Sequence, residues 1–114
     1  MTKTREWQTA FEAEISAGEK ARLQGNEGKA RVCARRAAGI VIAEYFKSTG
    51  VAVPSSGAYE LLRLAFEAPD LPPHAGEICE HLLVRVSPDF SLPLNVDLLD
   101  EARKLKWILL EQTD

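Results

Sequence analysis

The side chains best suited to acid–base or metal chemistry lie in one short stretch, at His74, Glu77 and His81. Spacings of three and four residues would bring them to one face of a helix, where imidazole and carboxylate groups can share a divalent cation. Ile78 and Leu82 intrude beside that face, no further strong ligand lies close in sequence, and the HExxH spacing is absent. We therefore expect no metal site.

Other catalytic patterns are also missing from the sequence. Ser55 and Ser56 precede an expected helix, where their hydroxyls suit helix capping better than nucleophilic attack. No GxSxG, Walker or GxGxxG pattern is present to support acyl transfer or to cradle a phosphate. Cys33 and Cys79 lack CxxC spacing, so we expect reduced cysteines that serve packing. The sequence thus predicts neither a cofactor nor a catalytic centre.

One carboxylate is a candidate because of its position. The stretch Gly28–Phe46 has the period of a core helix, and Glu44 falls within its apolar sector. An ionised carboxylate is costly there unless it is paired or hydrogen-bonded. Glu44 could be a buried general base supported by Arg36 or Tyr45, or it could lie at the edge of the sector and reach water. The sequence leaves both interpretations open.

The charge of the chain is unevenly distributed. The net charge is −3, yet residues 20–36 hold six basic residues and one acidic residue, whereas the rest holds eight basic and sixteen acidic ones. Lys29, Arg31, Arg35 and Arg36 are candidates for binding a nucleotide or RNA, in two pairs on different sides of one helix. A solvated face, or head-to-tail contact of two copies, would use the same charges. Overall acidity and the lack of interleaved aromatic residues argue against non-specific nucleic-acid binding.

The apolar period and its punctuation predict five helices in a single domain, residues 1–114. Turn residues, prolines and N-cap residues set the boundaries. The expected helices are Glu6–Leu23, a second from the Asn26 cap to near Ser48, Gly57–Phe66, Pro73–Val86, and Val96–Gln112 after an Asn95 cap. We therefore predict an all-α, up-and-down bundle of four to five helices.

The second and last helices carry the strongest packing signals. Small residues, Ala34, Ala37, Ala38 and Gly39, keep the middle of the second helix thin, which predicts close approach of a neighbouring helix at Gly39. In the last helix, Leu98, Ala102, Leu105 and Leu109 form the expected core face.

Leu99, Trp107 and Leu110 form a second ridge on the last helix. A small bundle has few places to bury two ridges, so we expect the second to contact another copy of the chain, in a homodimer. Trp7 and Phe11 could instead cover it internally.

The layout resembles HEPN-type (higher eukaryotes and prokaryotes nucleotide-binding) helical bundles. The resemblance lies in the hairpin AEISAGEKARLQGNEGKARVCARRAAGIVIAEYF, a short third helix, HLLVRV and the final VDLLDEARKLKWILLEQ. It implies an all-helical bundle that commonly dimerises. Members that cut RNA carry an arginine followed after four to six residues by a histidine, and neither Arg63 nor Arg85 has a histidine at that spacing. The resemblance therefore implies a non-catalytic role, in binding a nucleotide, a nucleic acid or a partner protein such as a nucleotidyltransferase.

The location expected from the sequence is the cytoplasm. No apolar run approaches the roughly 20 residues that a membrane span requires, and the start MTKTREWQ lacks the apolar core of a signal peptide. Together these features predict a cytoplasmic, non-catalytic, homodimeric interaction module without contact to a membrane. Nucleotide or RNA binding through residues 29–36 is the alternative.

Overall fold

Five α-helices make up most of the chain that the computed structural model describes, residues 2–53, 57–84 and 96–111, with side chains described from Glu6 onward. They are α1 (Thr2–Leu23), α2 (Glu27–Ser48), α3 (Ala58–Phe66), α4 (Pro73–Leu83) and α5 (Leu98–Lys106), and α5 continues into a π-helical turn, Trp107–Glu111. No strand occurs in these ranges. The prediction of an all-α fold is confirmed, and the arrangement is that of a helical bundle.

Several predicted boundaries move by a few residues. α1 begins at Thr2, four residues before the predicted start, and α4 ends at Leu83 because Val84 adopts an extended conformation. The last helix begins at Leu98, where Asp97 is the N-cap and accepts a hydrogen bond from the backbone N–H of Asp100 at 3.2 Å. The predicted cap Asn95, the predicted helix end at Val86 and the serines Ser55 and Ser56 lie outside the described residues.

The hairpin of α1 and α2 turns at residues 24–26. Gly25 has a φ of 78°, in the left-handed region that glycine adopts without a steric penalty. Asn26 caps α2 as predicted, because its side-chain oxygen accepts a hydrogen bond from the backbone N–H of Lys29 at 3.0 Å. The two long helices therefore run antiparallel and in direct contact.

α2 lies at the centre of the bundle and contacts α1, α3 and α5. Its small residues, Ala34, Ala37, Ala38 and Gly39, are all buried. A Cβ atom added at Gly39 would lie 2.9 Å from the Cβ of Ala58 and 3.1 Å from its Cα. The close approach predicted at Gly39 is thus confirmed, and its partner is the first residue of α3.

The inner face of α5 packs against both long helices. Leu98, Leu99, Ala102 and Leu105 are buried. A Cβ atom at Gly18 of α1 would lie 2.6 Å from Cδ2 of Leu99, so that leucine fills the space left by the glycine. Of the two alternatives for the second ridge, Leu99 follows the internal one, since its side chain is fully buried in its own chain and is not available for contact with another copy.

α3 is a short helix with one inward face. Leu61, Leu62 and Ala65 are buried, whereas Tyr59 and Phe66 are exposed. Three inward residues suffice to dock this short helix on α2, and the two aromatic side chains remain at the surface.

Ion pairs join the two ends of the chain. The guanidinium group of Arg22 lies 2.9 Å from Oε2 of Glu27 and 3.1 Å from Oδ2 of Asp97. Arg22 therefore links the first turn of α2 to the N-cap of α5. Partial burial alone would raise the pKa of Asp97, but hydrogen bonds from Arg22 and the backbone of Asp100 outweigh it, and the pKa lies below its usual range. At the opposite end of α5, Nζ of Lys106 lies 3.3 Å from Oε2 of Glu12 in α1.

We expect Gly39→Ala to destabilise the protein. The new Cβ gains about 1 kcal/mol of helix propensity, but overpacking against Ala58 costs about 1–3 kcal/mol. Gly28→Ala is the matched control in the same helix, because its Cβ would meet only ordinary contacts at 3.8 Å and beyond. Urea unfolding followed by circular dichroism measures both. A Gly39→Ala variant as stable as Gly28→Ala would contradict the close approach.

We expect the ionised carboxylate of Asp97 to stabilise the fold only above acidic pH. Its lowered folded-state pKa means that this stabilisation is complete above the ordinary aspartate pKa of about 3.9 and disappears as the pH falls through the folded value. Asp97→Asn retains a good N-cap but loses the charge, whereas Asp97→Ala also loses the cap, worth about 1 kcal/mol.

Urea unfolding of these variants at pH 7, 5, 3.5 and 2.5 checks this expectation, because the difference should be constant at the two higher values and should shrink only at the two lower ones. The stabilities of the wild-type protein and Asp97→Asn should converge as the pH falls, while Asp97→Ala remains less stable than Asp97→Asn throughout. A constant difference between the wild-type protein and Asp97→Asn would show that the charge contributes nothing.

Candidate functional site

Trp107, the first residue of the π-helical turn, is a large aromatic residue at the surface. Its side chain is 54% exposed. Beside it is a cavity of about 410 Å³ lined by His74 of α4, Arg103 and Lys104 of α5, and Trp107 and Ile108 of the turn. We refer to these five residues as the Trp107 surface. A large amphipathic side chain beside an apolar depression is typical of a protein-binding site.

The π-helical turn decides how the last residues are oriented. A π-helix closes its hydrogen bonds over five residues instead of four, so the residues after Lys106 no longer follow the 3.6-residue period. Leu109, predicted for the core face, is only partly buried, as is Leu110, predicted for the ridge. Of the predicted ridge of Leu99, Trp107 and Leu110, only Trp107 is exposed.

A contact between a histidine and a carboxylate joins α4 to α5 near this surface. Nδ1 of His81 contacts Oε1 of Glu101, whose side chain is only 8% exposed, and Nζ of Lys104 lies 3.7 Å from the same carboxylate. His81 is therefore engaged by a carboxylate of another helix. Within the described ranges, no three His, Cys, Asp or Glu side chains come together in a way that could hold a metal ion.

The role of Glu101 was missed by the sequence interpretation, although a signal was present. Glu101 lies three residues after Leu98 and four before Leu105, and therefore falls within the core face of α5. A carboxylate at such a position needs a partner, as does Glu44 in the apolar sector of α2. The position of Glu101 predicts a buried partner, but not that the partner is His81, twenty residues earlier.

Arg35 is used inside the fold. Its Nε donates to the carbonyl oxygen of Leu82 at 2.7 Å and its guanidinium NH2 donates to that of Val84 at 2.8 Å. These carbonyls lie at the C-terminal end of α4, where no intrahelical N–H remains to bind them. Arg35 thus caps α4 from α2, which the sequence interpretation did not foresee.

The other three basic candidates do not join Arg35 in one site. Lys29 and Arg36 are exposed, and Arg36 lines a shallow groove with Glu14 of α1. Nε of Arg31 is buried and has no hydrogen-bond partner in the described part of the chain. The four residues therefore differ in their surroundings.

Glu44 lies at the margin of the core. Its side chain is 25% exposed, and its Oε1 is 3.9 Å from Nζ of Lys47, one turn later. This position matches the interpretation in which Glu44 reaches water from the edge of the apolar sector. It gives no support to a fully buried general base.

Both cysteines are free and buried, as expected for packing residues. Burial raises the pKa of the Cys79 thiol to about 12, because desolvation disfavours the thiolate. Since the thiolate is the reactive form, Cys79 is chemically inert at neutral pH.

Comparison of the chain with protein-family models, with characterised proteins and with solved structures finds no match. None of the described helices is both long and apolar enough to cross a membrane. The HEPN resemblance and the functions that it implies therefore remain predictions.

We expect Arg35→Ala to destabilise the protein by about 1.5–3 kcal/mol, because two carbonyls lose a charged donor. Arg36→Ala is the matched control on the next residue, and exposed substitutions of this kind change stability by within about 0.5 kcal/mol. Urea unfolding measures both variants. Equal stabilities would show that Arg35 does not hold α4 in place.

Proposed function

We propose that this protein is a non-catalytic, cytoplasmic interaction module of HEPN-like layout that forms a homodimer through the Trp107 surface. The observation that carries the proposal is the exposed Trp107 side chain beside the 410 Å³ cavity. Tryptophan is among the residues that contribute most to binding when they enter a pocket on a partner.

The Trp107 surface offers both parts of such a contact. In a dimer with twofold symmetry, the same patch of each copy faces its equivalent, so a protruding side chain and a cavity within one patch can complement each other. Trp107 of one copy would then enter the cavity beside Trp107 of the other. A single patch therefore suffices, and no second surface is required.

The charges at this surface are compatible with an identical partner. Arg103 is paired with Glu19 at 2.9 Å, and Lys104 lies 3.7 Å from Glu101. Because each cation has a carboxylate beside it, two copies of the surface would not meet as unbalanced like charges. This pairing favours a second copy over a strongly acidic partner.

The helix lengths support the HEPN-like part of the proposal. Two antiparallel helices of 22 residues each are followed by helices of 9, 11 and 9 residues. Such bundles commonly dimerise, and some bind a partner protein such as a nucleotidyltransferase, which would be a different occupant for the same surface. Two free, buried cysteines fit the reducing environment of the cytoplasm.

Nucleotide or RNA binding through residues 29–36 has less support. Arg35 is hydrogen-bonded to the end of α4, and Arg36 lines a groove together with the acidic residue Glu14. An anion would have to be held mainly by Lys29 and Arg31, next to Glu27 in the first turn of α2.

We expect Trp107→Ala to weaken the dimer by at least about 30-fold, the effect of losing a binding contact worth about 2 kcal/mol. Light scattering behind a sizing column, over a wide range of protein concentrations, gives the dissociation constant. Leu23→Ala is the matched control. Leu23 is an apolar residue that is 89% exposed, and it lies at the C-terminal end of α1, away from the Trp107 surface.

The absorbance ratio of the eluted protein reports bound nucleotide or RNA in the same experiment. A wild-type protein that is monomeric at all concentrations would refute the dimer. Equal weakening by Leu23→Ala would show that Trp107 is not the specific contact, and a monomer carrying nucleic acid would favour the basic residues of α2.

A further inference from the structure

A second cavity lies where the C-terminal ends of α2 and α3 meet the connection to α4. Its volume is about 440 Å³, and most of its lining is apolar. Tyr45 and Phe46 of α2, Leu64 of α3 and Leu71 of the connection contribute the larger side chains. Ligand sites for small molecules typically have volumes of about 300–1,000 Å³ and a mostly apolar lining.

Two polar groups of this cavity, the carboxylate of Asp70 and the hydroxyl of Thr49, can accept hydrogen bonds from a ligand. Asp70 is the only charged residue among the described residues that line it, and its carboxylate makes no ion pair with a described residue. The hydroxyl of Thr49 donates to the carbonyl oxygens of Tyr45 and Phe46, at 3.1 and 3.2 Å. Its remaining capacity is that of an acceptor, so both groups suit a hydrogen-bond donor.

The helix ends add to the same preference. α2 ends at Ser48 and α3 at Phe66, and residues of both C-terminal turns line the cavity. The C-terminal end of a helix carries a partial negative charge, which favours a cation nearby. Tyr45 lines the same cavity, and aromatic rings attract ammonium groups over their faces. Carboxylate, helix ends and aromatic ring therefore all select positive charge.

We propose that this cavity binds a small organic cation, with a compact apolar or aromatic body and one protonated amine. The apolar body occupies the space between Tyr45 and Leu64, and the amine lies toward Asp70 and Thr49. A neutral molecule of the same shape would leave the carboxylate unpaired, and an anion would meet repulsion. The proposal is independent of dimerisation through Trp107, which lies outside this cavity.

The test uses the full chain and two ligands that differ in one group, 2-phenylethylamine and 2-phenylethanol. Titrations followed by ¹H–¹⁵N NMR give each dissociation constant. We expect the amine to bind with a dissociation constant on the order of 1 mM, as befits so small a ligand. The alcohol should bind about three- to fivefold more weakly, the effect of one partly exposed charge pair.

Three variants locate the interaction. Asp70→Asn should reduce binding of the amine to the level of the alcohol, whereas Glu67→Gln, which removes a neighbouring exposed carboxylate outside the lining, should leave it unchanged. Ala68→Trp fills the cavity from its rim and should abolish binding of both ligands.

Three results would overturn the proposal. The first is the absence of saturable binding of the amine, and the second is equal weakening by Asp70→Asn and Glu67→Gln. The third is undiminished binding to an Ala68→Trp protein whose circular dichroism is that of the wild type.

Discussion

The narrow middle of α2 is the constraint on which the rest of the structure depends. From Ala34 to Gly39 this helix buries small side chains, so α1, α3 and α5 can pack against it at close range. Helix–helix distances depend on the side chains at the contact, and tightly packed interiors tolerate little change in volume. Both functional candidates follow from this packing, because docking of α5 sets the position of Trp107 and docking of α3 forms one wall of the second cavity.

Two polar interactions attach α4 to the helices beside it. Arg35 ties the end of α4 to α2, and the pair of His81 and Glu101 ties the last turn of α4 to α5. A buried carboxylate without a partner would destabilise the fold strongly, so His81 allows Glu101 to occupy a core position. α4 also buries Ala75, Ile78, Cys79 and Leu82 in the core, so these polar contacts add to its apolar packing on α3 and α5.

Local signals in the sequence predicted local features of the fold. The period of α2, the Asn26 cap, the termination near Ser48 and the close approach at Gly39 all depend on residues within one helix or its ends. The helical period failed at Leu109 and Leu110, because the π-helical turn changes the rotation per residue. It did not show where Leu99 packs, because the room for that side chain comes from Gly18, 81 positions earlier in the chain.

The candidate sites were less predictable than the helices. The sequence identified Trp107 as an outward residue, but the cavity beside it needs His74 from another helix. The charge of Arg35 was evident, yet its acceptors are backbone carbonyls 47 and 49 residues away, which carry no sequence signature. The second cavity combines three segments, none of which contains a recognisable motif.

The ion pairs of α5 have a consequence for how the chain folds. They link Arg22 to Asp97, Glu19 to Arg103, and Glu12 to Lys106, across 75, 84 and 94 positions. A helical bundle built only from successive hairpins gains its contacts locally, whereas here the last helix finds partners only after a loop of most of the chain has closed. Such closure has an entropic cost and slows folding. We therefore expect the α1–α2 hairpin to form early from local contacts and the packing of α5 against it to be the slower step.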